Sequence, residues 1–424
     1  MTENIFKLLS TSPTAYHAVA NAEEILSANG FVRLEEGQPW HLNKNGKYFV
    51  SREGSALIAF ALGGEDYSFV IAASHTDSPC LKLKLCGENP SAGTTRISVE
   101  RYGGGLNYTW LDIPIKIAGR VITNEGGTLK STLIELDESF VIPSVAIHFN
   151  RSANDGIKLN PQIDMQLLSA LGDGKKLVAA CESKAGAPII DYDLYAVCGV
   201  EPFLVGFDSS LACAPRVDNL TSAFASVEAI IGCAPKAIPV IYLADNEEVG
   251  SRTKQGAGST FLKDVISRIN TALGYSEEEL KVALAKSFML SCDNAHATHP
   301  NHPELSDPAN KVLLGEGVVI KHHANQNYTT DAMSSAIVKS ILSSAGVPTQ
   351  DFFMRSDLPC GGTLGAISSS QLSVRSADVG IAQLAMHSST ETFAVCDYAH
   401  YINAIKAVLS SAILESTSLS VKIK

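Results

Sequence analysis

Three apolar segments of the chain end in acidic or imidazole side chains, which are the groups that bind metal ions and transfer protons. The segments comprise residues 70–77, 239–248 and 289–293, and each begins with the continuous apolar run that is typical of a buried strand. In an open α/β sheet, ligands bind beyond the carboxyl ends of the strands. The sequence therefore predicts one site at which three strand ends bring together His75, Asp77, Glu247, Glu248 and Asp293.

So many carboxylates repel one another unless a cation neutralises them. Imidazole nitrogen and carboxylate oxygen together suit zinc, or a harder ion such as manganese or cobalt, and the set is compatible with two ions. His75-Thr-Asp77 has the form of a ligand with its partner, because a metal-bound imidazole usually donates its other N–H to a carboxylate or a carbonyl. Adjacent Glu247 and Glu248 project differently from a loop, so one can bind metal while the other accepts a proton from the attacking water.

Taken singly, these patterns have simpler explanations. A strand-end His-x-Asp can be a surface ion pair, and Glu-Glu in a loop is usually solvated charge. The segment after Asp293 contains three histidines that can lie near a metal, at an interface or in solvent: His296, His299 and His302. Packing or solvation is more common than catalysis for the remaining histidines that we weighed: His17, His322, His323 and His400.

The composition is that of a folded globular protein. The 424 residues are 45% hydrophobic and 18% charged, which excludes disordered, collagenous and coiled-coil chains and suggests two or three domains. The net charge of −11 disfavours nucleic acid as a partner. The N-terminus lacks the features of a signal peptide, and no apolar run approaches the roughly 18 residues of a membrane-spanning helix. We therefore expect a cytoplasmic protein without a membrane partner.

Other catalytic chemistries lack their sequence signatures. The chain has no G-x-S-x-G, no G-x-x-x-x-G-K-[ST] and no H-E-x-x-H, which argues against serine hydrolases, P-loop NTPases and zincins. Nine cysteines without a C-x-x-C motif indicate reduced thiols, so any metal needs histidine and carboxylate ligands. Tyr102-Gly-Gly-Gly105 is glycine-rich but does not match G-x-G-x-x-G, and we interpret it as a turn.

The apolar periodicity predicts an α/β protein with a β-rich unit in its middle. Two helices are predicted within residues 4–30, separated at Ser12-Pro13. Residues 85–206 combine glycine-rich turns with alternating β-branched residues, which indicates a separate β-rich unit. After Arg216 the pattern is that of βαβ units, with helices at 219–232, 330–345 and 397–414 and strands at 238–243 and 288–291.

The chain resembles the aspartyl aminopeptidases, the M18 family of metallopeptidases, in five blocks that occur in the family's order: Ser74–Cys80, Arg216–Leu220, Asp245–Gly250, Asp293–Asn301 and Gln383–Ser388. The resemblance implies an α/β fold in which a zinc-peptidase-like mixed sheet is flanked by helices and carries an inserted β-rich dimerisation domain. It assigns residues 1–84 and 207–424 to the catalytic dimetal domain and residues 85–206 to the insertion.

The resemblance also implies how the site residues divide their roles. Two divalent metal ions, zinc first and manganese or cobalt as alternatives, would share Asp218 as a bridge and take four further ligands: His75, Glu248, Asp293 and His387. Glu247 would be the general base, and Asp77, the partner of His75, is counted with it as a catalytic residue. Spacing alone does not indicate Asp218 or His387.

Peptides with an acidic first residue are the substrates that the resemblance implies. Lys321, with Tyr328 at the matching interval, would meet the acidic side chain, which needs a charged partner when buried. His148 matches a histidine that reaches a neighbouring subunit's active site, in a homo-oligomer expected to be a dodecamer built from dimers. The alternatives are a neutral N-terminal preference, an N-deacylase or carboxypeptidase on a related scaffold, and a non-catalytic assembly or binding protein.

Overall fold

The computed structural model describes residues 2–424, except for the side chain of Cys86. The helices of this part of the chain are α1 (Thr2–Thr11), α2 (Ala15–Ala28), α3 (Pro161–Asp164), α4 (Leu177–Ala185), α5 (Val217–Gly232), α6 (Phe261–Leu273), α7 (Glu277–Ala285), α8 (Ala332–Ser344), α9 (Leu364–Gln371) and α10 (Val395–Leu409). The strands are β1 (Val32–Arg33), β2 (Lys47–Arg52), β3 (Ala56–Ala61), β4 (Phe69–His75), β5 (Cys80–Ser91), β6 (Thr94–Tyr102), β7 (Ile115–Glu125), β8 (Thr128–Glu135), β9 (Leu167–Leu171), β10 (Ile189–Cys198), β11 (Phe203–Val205), β12 (Leu211–Ala214), β13 (Ile238–Ala244), β14 (Phe288–Cys292), β15 (Ala295–His296), β16 (Val318–His322), β17 (Thr349–Phe353), β18 (Arg375–Gly380), β19 (Ala382–Leu384), β20 (Glu391–Ala394), β21 (Ile413–Ser416) and β22 (Val421–Ile423).

A mixed nine-stranded sheet is the largest element of the fold, with the order β1-β2-β3-β13-β4-β14-β18-β16-β17. Strands β13, β4, β14 and β18 run parallel to one another, whereas β3 and β16 pair antiparallel with β13 and β18. Every residue of β3, β4, β13 and β14 is buried. Burial on both faces explains their nearly continuous apolar sequences. The predicted mixed sheet is thus confirmed.

Helices cover both faces of this sheet. On one face α5 and α10 pack together, and Phe224 and Tyr401 enter the same apolar cluster as the strands. On the other face Phe261 of α6 packs edge-to-face on Tyr242 of β13, with ring centroids 6.0 Å apart. The last helix ends at Leu409 rather than residue 414, because residues 413–416 pair with 421–423. In the described part of the chain, none of the helices combines the length and apolarity needed to cross a membrane.

The parallel strands bring their carboxyl ends to one edge of the sheet. His75, the last residue of β4, lies opposite Ala244, the last residue of β13. Strand β14, on the other side of β4, ends at Cys292. The polar residues that follow these strands therefore lie close together at this edge, as the sequence predicted.

A second sheet is built only from antiparallel pairs, in the order β8-β7-β10-β5-β6-β9. Its strands lie between Cys80 and Cys198, and Trp110, Ile117 and Leu194 are buried in its own apolar cluster. This sheet accounts for the β-rich pattern in the middle of the sequence. The bounds 85–206 and the role in dimer formation stay predictions.

A third sheet, β11-β12-β20-β19-β15, lies next to the end of β14. Strands β19 and β20 pair antiparallel, and the loop that joins them contains His387. Strand β15 runs parallel to β19, with Ala295 opposite Ala382. This pairing places the loop of His387 beside the segment that follows Asp293.

Candidate metal centre

The five proposed ligands come from five separate segments of the chain. His75 ends β4, and Glu248 lies in a short 3-10 helix, Glu247–Val249, that follows β13. Asp293 directly follows β14, and His387 lies between β19 and β20. Asp218 lies in the first turn of α5, where its backbone and that of Asn219 depart from helical φ and ψ and the bond between them is cis.

The carboxylate of Asp218 lies between the two histidines. His75 Nε2 is 3.5 Å from Asp218 Oδ1, and His387 Nε2 is 3.4 Å from Asp218 Oδ2. His75 Nε2 is also 3.9 Å from Asp293 Oδ1, and His387 Nε2 is 3.5 Å from Glu248 Oε1. Each oxygen of Asp218 thus faces a different imidazole, with a second carboxylate beside each.

Three overlapping groups of side chains have the spacing to hold a metal ion. They are His75 with Asp218 and Asp293, Asp218 with Glu248 and His387, and His75 with Glu247 and Glu248; within each group the ligand atoms lie within 4.8 Å of one another. Asp218 Oδ1 and Glu248 Oε1 are buried without a hydrogen-bond partner in the structure. A buried carboxylate oxygen without a partner is costly, and imidazole with carboxylate is the ligand set that zinc prefers. The residues present therefore fit divalent metal ions.

Burial and mutual repulsion control the charges of this cluster. Burial raises the pKa of Glu247 to about 7, and it raises the pKa of Glu248 well above the usual range. Although burial opposes it, hydrogen bonding to Asp218 raises the pKa of His387 to about 10. Against the effect of its own burial, the adjacent imidazoles of His387 and His75 lower the pKa of Asp218. The free cluster thus retains protons, and a bound divalent ion would displace them.

Asp77 is absent from these three groups and instead makes contacts that order them. His75 Nδ1 lies 3.0 Å from the backbone oxygen of Asp77 and 3.4 Å from Oδ1. The carboxylate also accepts hydrogen bonds from the backbone N–H groups of Glu247 and Glu248, each at 3.1 Å. Asp77 therefore orients the imidazole through its backbone oxygen and the acidic turn through its carboxylate, as expected for a partner of a metal ligand.

A cavity of about 300 Å³ adjoins the cluster. Its lining includes five of the residues just described and further polar groups: His75, Asp218, Glu247, Asp293, Asn294, His296, Lys321, Tyr328, Thr363 and His387. Lys321 is buried, donates a hydrogen bond to the backbone oxygen of Asn294 at 3.1 Å and lies 3.6 Å from Asp293 Oδ2. Its Nζ is 4.9 Å from the ring centroid of Tyr328. Lys321 and Tyr328, two of the predicted substrate-binding residues, thus line the same cavity as the cluster.

His148 is not among the residues that line this cavity. It lies in an exposed segment, residues 143–149, in which Val145, Ile147 and Phe149 are also exposed, Phe149 to 87%. Within one chain, the structure does not bring His148 together with the other predicted site residues.

Glu391 is a buried residue of this centre that sequence reasoning missed. Its Oε2 accepts a hydrogen bond from the backbone N–H of Asp218 at 2.9 Å, and its Oε1 accepts one from the backbone N–H of His387 at 2.8 Å. Burial, followed by repulsion from Asp218, raises the pKa of Glu391 to about 8. His296, whose role the sequence left open, lines the cavity. The only sequence signal for Glu391 is an acidic residue at the start of a short strand, which does not distinguish it from surface carboxylates.

Comparison with known proteins agrees with this geometry. Residues 8–408 match the family model of the aminopeptidase I zinc metalloproteases, M18. A probable M18 family aminopeptidase 2 of Clostridium novyi is 38% identical over 411 residues, covering 93% of this chain and 95% of the relative. An aspartyl aminopeptidase of Dictyostelium discoideum is 34% identical over 465 residues, covering 95% of each chain. The structure of the S. cerevisiae mApe1 dodecamer aligns with a TM-score of 0.84 at 27% identity, over 96% of this chain and 95% of that one.

These matches decide which class of protein the chain belongs to among the alternatives that the sequence left open. The relatives that match over nearly their full length are named aminopeptidases, not deacylases, carboxypeptidases or binding proteins. The five sequence blocks that suggested the family lie within the matched residues. The chain therefore belongs to the M18 family of zinc metalloproteases and is a metalloaminopeptidase, a hydrolase of the exopeptidase class.

Proposed function

We propose that this enzyme removes acidic N-terminal residues from peptides with the help of two divalent metal ions. The observation that carries the proposal is the position of Asp218, whose two carboxylate oxygens face two different imidazoles. One ion would be held by His75, Asp218 and Asp293, and the other by Asp218, Glu248 and His387. Zinc is the first candidate, with manganese and cobalt as alternatives.

The ligands all lie outside residues 85–206. This distribution supports a catalytic domain formed by residues 1–84 and 207–424 and a separate insertion between them. When bound, the ions supply Lewis acidity that polarises the scissile carbonyl and favours ionisation of water. Side chains that line the cavity would carry out the proton transfers.

Glu247 is the proposed general base. Its side chain lines the cavity beside His75 and Asp293, and burial raises its pKa to about 7, close to the value at which a group can both accept and return a proton at neutral pH. Glu247 would take a proton from the attacking water and give it to the leaving amine. Asp77 would keep the backbone of Glu247 in place through its hydrogen bond to that N–H.

Zinc should stabilise the metal-free protein against heat, because a ligand that binds only the folded state shifts unfolding by mass action. At a free zinc concentration 100 times Kd, the gain is about 2.7 kcal/mol. Asp218→Asn should remove most of this shift and lower the zinc content, since Asp218 belongs to both proposed sites. Asp351→Asn is the control, because Asp351 pairs with His322 and Lys339 outside the cavity. Calorimetry measures the thermal shift, and elemental analysis measures the zinc content. An unchanged zinc content in Asp218→Asn would contradict the assignment of Asp218 as a ligand.

Glu247→Gln should retain the fold and the metal but lose turnover by roughly 10²–10⁴-fold, the contribution of general-base catalysis. Glu248→Gln is the matched comparison, because the adjacent carboxylate is a proposed ligand and its loss should lower the metal content. Steady-state kinetics with elemental analysis separates the two effects. A fully metal-loaded Glu247→Gln enzyme with nearly normal kcat would refute the role of Glu247.

Acidic specificity rests on the charge balance around Lys321. This ammonium group is 2% exposed and makes one hydrogen bond at 3.1 Å, to a backbone oxygen. Asp293, 3.6 Å away, is proposed to share its charge with a metal ion. A buried cation needs a compensating anion, and the side-chain carboxylate of a substrate would supply one. The name of the Dictyostelium relative agrees with this preference.

Peptides that begin with Asp or Glu should be cleaved faster than those that begin with Leu, and acetylation of the amine should block cleavage. Lys321→Met should lower kcat/KM for Asp peptides by roughly 30-fold, which corresponds to about 2 kcal/mol for an unpaired buried charge, and should change Leu peptides little. Lys339→Met, on the exposed Asp351 pair, is the control. A preference of the native enzyme for Leu would establish the neutral alternative and remove Lys321 from this role.

We further infer that the enzyme is a homo-oligomer in which His148 completes the cavity of a second copy. Residues 143–149 expose Val145, Ile147 and Phe149 on either side of His148. Exposed apolar side chains close together usually mark an interaction surface. The mApe1 structure to which this chain is similar is a dodecamer. These observations support a dimer-based assembly, with a dodecamer as the expected form.

Mixed oligomers test this arrangement. His148→Ala should be nearly inactive by itself, and so should Glu247→Gln. When the two variants are dissociated and assembled together, activity should partly return, because each mixed pair contains one cavity with an intact Glu247 and an intact His148 from its neighbour. Native mass spectrometry verifies the mixing. Oligomers that contain both variants but show no recovered activity would argue against a shared site.

A further inference from the structure

The segment that leaves β6, residues 102–109, lies against the metal centre although it contributes none of the proposed ligands. The sequence predicted only a turn at Tyr102–Gly105. In the structure, Tyr102 ends β6 of the six-stranded sheet, and the three glycines that follow approach Glu248, His387 and Pro79. The segment thus connects the second sheet to the catalytic edge of the first.

The hydroxyl group of Tyr102 joins the two loops that present the acidic site. It donates a hydrogen bond to Asp77 Oδ2 at 2.7 Å and accepts one from Asn246 Nδ2 at 2.8 Å. Asp77 orders the residues after β4, and Asn246 directly precedes the turn of Glu247 and Glu248. Burial and the adjacent Asp77 raise the pKa of Tyr102, so its O–H proton remains available for donation.

Gly103 is in contact with Glu248. Its φ of +78° is in the left-handed region, and a Cβ atom at this position would lie 3.1 Å from Glu248 Cβ and 3.4 Å from Oε2. The first distance is tighter than most contacts of a Cβ atom, so a side chain here would require Glu248 to shift by a few tenths of an ångström. The absence of a side chain at Gly103 therefore leaves room for Glu248 in its observed position.

The far end of the segment holds the loop of His387. The backbone N–H of Leu106 donates to the backbone oxygen of His387 at 2.9 Å. Ser389 makes two hydrogen bonds with Thr109, from its N–H to Oγ1 at 3.0 Å and from its hydroxyl to the backbone oxygen at 2.7 Å. Glu248 and His387, which belong to one proposed metal group, are thus fixed by the same segment.

We propose that Tyr102 is a positioning residue of this aminopeptidase and that residues 102–109 set the geometry of the Glu248–His387 metal site. The hydroxyl group acts through Asp77 and Asn246, and Gly103 acts through the space it leaves for Glu248. The second sheet thereby takes part in metal binding without supplying a ligand. This inference rests on the metal assignment proposed above.

The test compares Tyr102→Phe with Tyr195→Phe. Tyr195 packs edge-to-face on Tyr102 with ring centroids 5.7 Å apart, so its variant removes a neighbouring hydroxyl group from the same region. Removal of a hydrogen bond behind a metal ligand typically costs 10–100-fold in metal affinity or activity. We expect Tyr102→Phe to weaken zinc binding by about this factor in competition with a chelator. At saturating zinc, kcat should fall while KM stays within about twofold, because the affected groups serve the reaction rather than peptide binding.

Gly103→Ala is the second variant, with Gly93→Ala as its matched control. Gly93, in the turn between β5 and β6, has a φ of +76°, but a Cβ there would meet no atom within 4 Å. The two glycines have nearly equal positive φ angles, so both variants carry similar backbone strain. Only Gly103→Ala would bring a new carbon atom against Glu248. We expect weaker zinc binding in Gly103→Ala alone. The Co²⁺ absorption spectrum of the loaded protein should change with it, since that spectrum reports ligand geometry.

The outcomes separate this inference from the proposed function. If the native protein binds no divalent metal, the proposed function fails and the inference fails with it. If the native protein binds zinc and Tyr102→Phe and Gly103→Ala match their controls in zinc affinity, kcat and spectrum, only the positioning role is overturned. Equal loss of affinity in Tyr195→Phe and Tyr102→Phe also overturns it, because general packing would then explain the effect.

Discussion

The mutual repulsion of buried carboxylates is the central physical problem of this site. Asp218, Glu247, Glu248 and Asp293 meet in one place, together with two imidazoles. A cluster of this kind cannot hold all its negative charge in a medium of low dielectric constant, and the raised pKa values of Glu247 and Glu248 express that penalty. Divalent cations at the proposed sites would remove it, and the same cations would provide the chemistry of a metalloaminopeptidase. The apolar sheet around the cluster makes the demand for metal stronger.

Backbone N–H groups and a few buried carboxylates keep the cluster in order. The Asp77 carboxylate accepts hydrogen bonds from the backbone N–H groups of Glu247 and Glu248. The Glu391 carboxylate accepts them from the backbone N–H groups of Asp218 and His387. Hydrogen bonds to a carboxylate are stronger than those between neutral groups, so each carboxylate can fix two segments at once. The loops that carry the proposed ligands are therefore held by a small number of strong contacts, which suits a site whose atoms must keep fixed distances.

Three sheets meet at the candidate metal centre, and each contributes a different part of it. The parallel strands of the first sheet present His75, Asp293 and the acidic turn. The third sheet carries the loop of His387. The second sheet approaches through residues 102–109, which touch both Glu248 and the His387 loop. With its proposed role in assembly, the second sheet would link assembly to catalysis physically, because it already contacts the candidate metal centre.

Much of the candidate site and of the strands that lead to it could be predicted from the sequence. Buried parallel strands are continuous apolar runs, and polar residues at their ends are visible in any such run, so His75, Asp77, Glu247, Glu248 and Asp293 could be predicted together. Asp218 and His387 came from resemblance to a family, since nothing in their spacing indicates metal binding. Three features became visible only in the folded chain: Asp218 faces both histidines, Glu391 binds the backbone of Asp218 and of His387, and Tyr102 and Gly103 lie against the acidic turn. Such contacts could not be predicted because a local sequence pattern indicates only which side chains of one segment are buried. Distances between segments that are far apart in the chain depend on strand order and packing.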